Sequence, residues 1–301
     1  MNKVKIFLLT ISLFFGISLI NNSHAQKLSS LEKSHFENLE DSLVVLADSM
    51  LRTPLHTDRK EYGFKFANLL KHTLELENSF LYPFEKLGKT IHVVHPEDKK
   101  FRIFNWLVAP AENMRRYYGV IQTARSIFPL HDNSKDLSPQ IFSQTLDRKQ
   151  WYGNEIYKLQ TFKKGKETFY LWYGLNTDGI YTNKKSLDAL FFKDGVPYFG
   201  LPIFEYKDIE SDNYKLYYRL IWEYSKVTGF TLNYDEERDM ILFDRLQSVV
   251  NKAERKNTYA PSGQTEGLKW KRDYFEYLEE AIPILQLEDG GAPVDGVFPK
   301  R

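Results

Sequence analysis

His92 and His95 are the pair whose residue type points most directly to metal chemistry, because imidazole nitrogen is a common ligand. Their spacing argues against a shared ion. Side chains three positions apart on an extended segment point to opposite faces, so these read as ordinary histidines at a strand end before Pro96. His56 and His72 lie sixteen residues apart near one helical segment and share no turn. The run His131-Asp132-Asn133-Ser134-Lys135-Asp136 carries oxygens of the kind calcium takes. It lacks the glycine and the closing glutamate of an EF-hand loop and reads as a solvated turn. Asp235-Glu236-Glu237-Arg238-Asp239 reads as an exposed hairpin loop. Neither a metal site nor a cofactor is expected.

The sequence contains no Gly-x-Ser-x-Gly elbow, no His-Glu-x-x-His, no phosphate-cradling glycine loop and no dinucleotide fingerprint. The absence of cysteine excludes a thiolate nucleophile, disulfides, thiolate zinc and lipid attachment to an N-terminal cysteine. Forty acidic residues leave a glycosidase-type carboxylate pair open, since two acids about 5–10 Å apart in the fold suffice. The sequence nominates no such pair.

What the chain has in excess is aromatic residues: 22 Phe, 19 Tyr and 5 Trp. Tyr117-Tyr118, Trp151-Tyr152, Tyr170 with Trp172-Tyr173, and Tyr217-Tyr218 place rings on both faces of a strand. One face can be core. The helices over 29–51 and 58–76 are expected to cover the other. The alternative is an aromatic platform for a glycan or a protein partner, for which Trp172, Tyr173, Trp222 and Tyr224 are the candidate binding residues.

The elements that would position these rings follow from periodicity. Leu31, Phe36, Leu39, Leu43, Leu46 and Met50 recur at helical spacing and predict a helix over 29–51, closed by Pro54. Ser30 followed by Lys33 is no capping box, which leaves the start open by a turn. Tyr62, Phe66, Leu69, Leu70, Thr73 and Leu74 predict a second helix over 58–76 with Asp58 as N-cap. After Gly88 the period becomes two, predicting strands over 90–95, 101–108 and 115–123. Residues 126–149 read as a loop with a short helix over 139–146. Further strands are predicted over 154–162, 167–175, 186–193, 198–206, 216–224, 228–234 and 240–246. Lys164-Gly165, Asp178-Gly179, Asp194-Gly195 and Thr228-Gly229 mark turns short enough to require antiparallel neighbours. In residues 218–224, Tyr218, Leu220, Trp222 and Tyr224 share one face, with Arg219 and Glu223 on the other. A loop over 251–267 and a closing strand over 269–278 complete the pattern. Trp172, Trp222 and Trp270 stand 50 and 48 residues apart, near the size of a propeller blade, but the interval from Trp106 is 66 and no blade signature repeats. The expected class is α+β: N-terminal helices on a large, mainly antiparallel sheet, a meander or open barrel, with a helical segment over 26–88, a β body over 89–285 and a mobile tail over 286–301.

With 41 Lys+Arg against 40 Asp+Glu, the charge argues against a nucleic-acid backbone as partner. The first 25 residues carry Lys3 and Lys5, an apolar run from Ile6 to Ile20 and the small-residue site Ser23-His24-Ala25, the layout of a secretory signal peptide cut between Ala25 and Gln26. Its loss removes two lysines and no acid, leaving 39 basic and 40 acidic residues. No other stretch is long and apolar enough to span a bilayer as a helix. The expected location is the periplasm or beyond.

The residues Phe101-Arg102-Ile103-Phe104-Asn105-Trp106, Tyr117-Tyr118-Gly119-Val120-Ile121-Gln122, Leu190-Phe191-Phe192, Phe199-Gly200 and Phe204 carry a further indication. Through them the chain resembles a group of uncharacterised exported proteins of Gram-negative bacteria, along most of its mature length. The resemblance implies export and a β-rich body, and carries no function across. Export, the missing catalytic motifs and the aromatic excess together give the expected role: an exported envelope protein that binds or supports a glycan or another envelope protein. The competing expectation is an exported hydrolase using a carboxylate pair or a loop-bound metal.

Overall fold

The computed structural model describes residues 27–135, 138–207 and 213–283. The predicted leader with its Ala25–Gln26 junction, the tail over 286–301 and Asp136 lie outside the described residues.

Two helices come first, α1 (Ser30–Arg52) and α2 (His56–Glu75), followed by 3₁₀ turns at Ser79–Leu81 and Leu87–Lys89. The chain then forms β1 (His92–Val94), β2 (Phe101–Ala111), β3 (Met114–Thr123) and β4 (Ile127–His131), a first sheet in sequence order. Next come a 3₁₀ turn at Pro139–Ser143, β5 (Leu146–Asp147), β6 (Glu155–Lys164), β7 (Glu167–Asn176), β8 (Thr182–Lys193) and β9 (Val196–Phe199). The remaining strands are β10 (Phe204–Lys207), β11 (Tyr214–Tyr217), β12 (Arg219–Ser225), β13 (Leu232–Asp235), β14 (Met240–Ser248), β15 (Tyr259–Trp270) and β16 (Phe275–Ile282). The second sheet runs β5-β9-β8-β7-β6, with β12 also on β8, and the third runs β11-β10-β16-β15-β14-β13. The ladders are antiparallel apart from one β10–β16 contact at Phe204 and Phe275. No sheet closes on itself. The expected α+β class holds, with helices first and a large, mostly antiparallel β region after them.

The body is built in four layers, and strand alternation explains why. On β2, Phe104, Trp106 and Val108 face the helices and pack with Phe36, Leu43, Met50, Phe66 and Leu70. The alternate residues Phe101 and Ile103 face the second sheet and pack with Trp151, Tyr170, Trp172, Leu190 and Phe199. On β7 the odd residues Phe169, Leu171 and Tyr173 face the third sheet and join Leu220, Trp222, Ile241, Phe243, Leu268 and Phe275. The second sheet is thus covered on both faces by sheets. This corrects the expectation that the helices cover the second aromatic face, because they reach only the first sheet. Each large apolar side chain buried in these seams contributes about 1.5–3 kcal/mol.

Burial on both faces also relocates Arg219. The alternation set it opposite the apolar face, but that side meets the first-sheet seam instead of water, and Arg219 is 0% exposed. Its Nε donates to Asp188 Oδ2 at 2.8 Å across the β8–β12 ladder, and its other nitrogens donate to the carbonyls of Ile141, Gln144 and Phe199. Burial pushes the Asp188 carboxyl up, against the pull of Arg219 and the Ala189 N–H. A second buried guanidinium, Arg102, has no carboxylate at ion-pair distance among the described residues. It donates to Gln122 Oε1 (2.8 Å), Ser79 O (2.7 Å) and Tyr82 O, and lies over the Phe80, Phe84 and Phe104 rings. Burial pushes it down to about 9.

Several local expectations are corrected. The α1 cap is Ser29, one residue earlier than the Ser30 tested: Ser29 Oγ accepts from the Glu32 N–H and the Glu32 carboxylate accepts from the Ser29 N–H, a full capping box. The Ser29 hydroxyl, then the Asn78 side-chain amide and the Ser29 N–H, donate to the Glu32 carboxylate and hold it down at about 2. α2 starts at His56 after Leu55, which makes no side-chain cap, and Asp58 sits in the first turn, where it meets the helix dipole. Residues 127–131 form β4 instead of a loop. Pro129 is tolerated there because β4 is an edge strand whose free side needs no N–H. The predicted strand over 198–206 breaks at Gly200 (φ +95°), so β9 and β10 join different sheets. The strand over 216–224 breaks at Tyr218 in the same way, separating β11 from β12. Residues 259–267, read as loop, form most of β15, and the closing strand over 269–278 turns back at Lys271–Tyr274. The tryptophan spacing is no repeat: Trp172 and Trp222 share the second sheet, while Trp106 and Trp270 belong to the other two.

Candidate functional site

Two hollows lie on either side of the β3–β4 turn, one towards the helices and one at the open end of the seam between the first and second sheets. That turn is held by Thr123. Its N–H donates to Ser126 O (2.9 Å), and its Oγ1 accepts from the Arg125 and Ser126 N–H groups. Ala124 and Arg125 are left exposed at the tip, and Arg125 makes no ion pair among the described residues.

One hollow, of about 600 Å³, lies between the end of α2, the Ser79–Leu81 turn and the β3–β4 turn. Its base is Gln122 and Ser79, both buried, with Gln122 Nε2 donating to Ser79 Oγ at 2.9 Å. These residues are consumed in holding Arg102.

The other hollow, of about 650 Å³, is bounded by the start of β2, the β3–β4 turn, the start of β7 and the β8–β9 hairpin. The hairpin is a two-residue turn in which Asp194 (φ +51°) and Gly195 (φ +77°) take the left-handed conformations its geometry requires, as the Asp-Gly signal indicated. A ring cluster forms the floor: Phe101 packs edge-on to Tyr170 at 4.7 Å and tilted against Phe192 at 5.1 Å, with Phe128 beside them. Thr123, Ser126 and Thr168 supply hydroxyls, Arg125 and Lys100 positive charge, and Asp194 a carboxylate. Tyr170 Oη donates to Asp98 Oδ2 at 2.8 Å, which fixes the ring. Partial burial works against the Asp98 charge, yet the Tyr170 hydroxyl and the Lys100 backbone and ammonium outweigh it and hold the carboxyl below the usual range. Burial first, then the Asp98 charge, pushes the Tyr170 phenol up, so it stays protonated as the donor. The arrangement can hold a ligand with an apolar face and hydroxyl or anionic edges.

The residues nominated from sequence are elsewhere. Trp172, Tyr173, Trp222 and Tyr224 are all buried, so none of them offers a ring to a partner. Trp172 faces the first sheet, with Nε1 donating to Asn154 Oδ1 at 2.7 Å, while the other three face the third sheet. The physical reason is the layered packing, which uses both faces of β7 and β8. The sequence marks Tyr170, Phe101 and Phe192 as strand aromatics; it does not mark Arg125, Thr168 or the Thr123 turn as a site. The available signal was the short gap between the strand ending at Thr123 and the apolar run from Ile127.

The metal expectations resolve into local structure. His92 Nε2 lies 3.7 Å from Glu155 Oε1, and His56 Nδ1 lies 3.2 Å from the Ala109 carbonyl oxygen. Asp132 accepts from the N–H groups of Tyr117 and Ser134, and Lys135 pairs with Asp178 at 3.3 Å. Asp235 accepts from the Arg238 N–H in the β13–β14 turn. Among the described residues no group of three or more His, Asp or Glu is placed to hold a metal ion. No helix among them is long and apolar enough to cross a membrane.

The site thus defines a layered α+β protein with an aromatic-floored hollow at a sheet seam. Compared with models of protein families, curated proteins and solved structures, the chain matches none.

Proposed function

We propose that this is an exported envelope protein that binds its ligand without transforming it, and that the 650 Å³ hollow takes a glycan. The observation that carries the reading is the half-buried pair Phe128 and Phe192, backed by the buried rings of Phe101 and Tyr170, beneath a rim of three hydroxyls and Arg125, which makes no ion pair among the described residues. Sugar rings present C–H faces and hydroxyl edges, and this hollow offers a counterpart to each. Export is supported by the positive, apolar and small-residue order of the first 25 residues and by the resemblance noted above. The test is calorimetry of the protein against envelope glycans. Thr168→Trp, which fills the hollow, and Arg125→Ala, which removes its free cation, should each abolish or weaken binding while the melting temperature holds. Binding that survives Thr168→Trp, or turnover of a substrate without stable binding, counts against the reading.

A further inference from the structure

Three charged side chains line the 650 Å³ hollow: Lys100, Arg125 and Asp194. Lys100 is already matched, since its Nζ lies 3.1 Å from Asp98 Oδ2. Arg125 and Asp194 have no side-chain hydrogen bond or ion pair among the described residues. They belong to opposite walls. Arg125 is at the tip of the β3–β4 turn on the first sheet, and Asp194 is in the β8–β9 turn on the second. Both turns are fixed, the first by the Thr123 clasp and the second by a ladder that closes at Lys193 and Val196. Two opposite charges are thus held on facing walls without pairing with each other.

The other charges nearby leave this arrangement standing. Lys164 pairs with Glu167 across the β6–β7 ladder, and Glu167 and Lys193 share the parity of Phe169 and Phe191. Those rings pack towards the third sheet, so alternation turns all three charges away from the hollow. Lys163 stands opposite Thr168 and shares its face, but it and Lys166 lie outside the lining. Glu97 and Lys99, on the loop before β2, are opposite in sign and also outside it. Beyond the β3–β4 turn, Glu75 is taken by Lys71 at 2.6 Å, and Glu77 makes no ion pair with Arg125.

A charge exposed in a concave site is met by water until a ligand replaces it. Charge-assisted hydrogen bonds are shorter and stronger than neutral ones, so a ligand bearing both an anionic and a cationic group gains at both walls. A purely anionic ligand meets Asp194 as a like charge, and a purely cationic one meets Arg125. Between the walls, Phe128 and Phe192 suit the C–H face of a sugar ring, and the Ser126 and Thr168 hydroxyls suit its edge.

We infer that the hollow selects a zwitterionic amino-sugar glycan, with its carboxylate against Arg125 and its free ammonium against Asp194. The inference rests on the glycan reading and names the class of sugar.

Calorimetry with four tetrasaccharides tests it: neutral cellotetraose, a cationic chitosan tetramer, an anionic hyaluronan tetramer, and the same hyaluronan fragment de-N-acetylated, which carries both charges. The last should bind about tenfold tighter than cellotetraose, at about threefold for each exposed ion pair formed. Asp194→Asn should weaken its binding about threefold without weakening that of the hyaluronan tetramer. The hairpin survives this change, because Asn-Gly suits a turn whose first residue has φ +51°. Arg125→Gln should cost the same factor, and the two together about tenfold, while Lys163→Gln keeps the order of the four sugars. Equal binding of all four overturns the inference and leaves the glycan reading standing. A loss in Lys163→Gln equal to that in Arg125→Gln also overturns it, since the attraction would then be the general field of the rim. Binding of none of the sugars, or tighter binding of the free dipeptide glycyl-tyrosine, removes the inference and the glycan reading together.

Discussion

Removing the carboxylate of Asp188 should destabilise the protein out of proportion to the atoms lost. Arg219 is fully buried, and Asp188 is its only anionic partner among the described residues. In Asp188→Ala the guanidinium keeps its bonds to the carbonyls of Ile141, Gln144 and Phe199 but has no opposing charge. Stranding one member of a buried pair costs about 3–5 kcal/mol. The freed Ala189 N–H, which donates to Asp188 Oδ1 at 2.8 Å, adds about 1 kcal/mol. Against a total stability of about 5–15 kcal/mol, that is a large share. For a chain of this length it corresponds to a fall in melting temperature of about 10 °C. Arg102 does not offer Arg219 a way out, because its own buried charge is offset by three rings that Arg219 lacks. Thermal and urea melts followed by circular dichroism measure the effect. The double variant Asp188→Leu with Arg219→Met should recover part of the loss but not all, since it orphans three carbonyls. A melting temperature for Asp188→Ala within about 2 °C of wild type would refute the reasoning.

The same pair has a pH signature. Burial raises the folded Asp188 carboxyl above its ordinary 3.8, so the native state keeps a proton the unfolded chain has released. Its contribution to stability is present below 3.8 and is lost as pH rises through the folded value; the stability difference between wild type and Asp188→Asn should fall over that range in urea titrations. Trp172→Ala should cost about 3–5 kcal/mol through the cavity left between Trp151 and Phe199, while calorimetry shows the glycan hollow still occupied. Intact mass of protein recovered from the cell envelope should correspond to a chain beginning at Gln26, and a mass retaining Met1 would remove the basis for export.

Residue spacing carried the element types and much of the chain order. The helical stripe from Leu31 to Met50 became α1 because its apolar residues needed a surface to cover. The two-residue Asp194-Gly195 turn forced β8 and β9 to be neighbours, since only left-handed backbone closes so short a loop. Where the pattern misled, the cause was distance along the chain. Ser262, Gly263 and Gln264 have loop chemistry, but β15 continues the ladder with β14, which residues 259–261 had already begun. At Gly200, followed by Pro202, a local break signal stood against the alternation of rings, whereas at Tyr218 nothing local distinguishes the change of sheet from an uninterrupted strand.

The candidate site shows the same division. Periodicity alone established that Tyr170, Trp172, Tyr173, Trp222 and Tyr224 lie on strands and alternate between two faces. Which faces water was decided by the stacking of the sheets, because burial depends on the elements that arrive from elsewhere in the chain. The second sheet is enclosed by its neighbours, so Trp172 and Trp222 became core, and Arg219, on what looked like a wet face, became a buried charge. At the open end of the seam, where the β3–β4 turn stands clear of β7, packing left Phe128 and Phe192 half-buried beside the hydroxyls of Ser126 and Thr168.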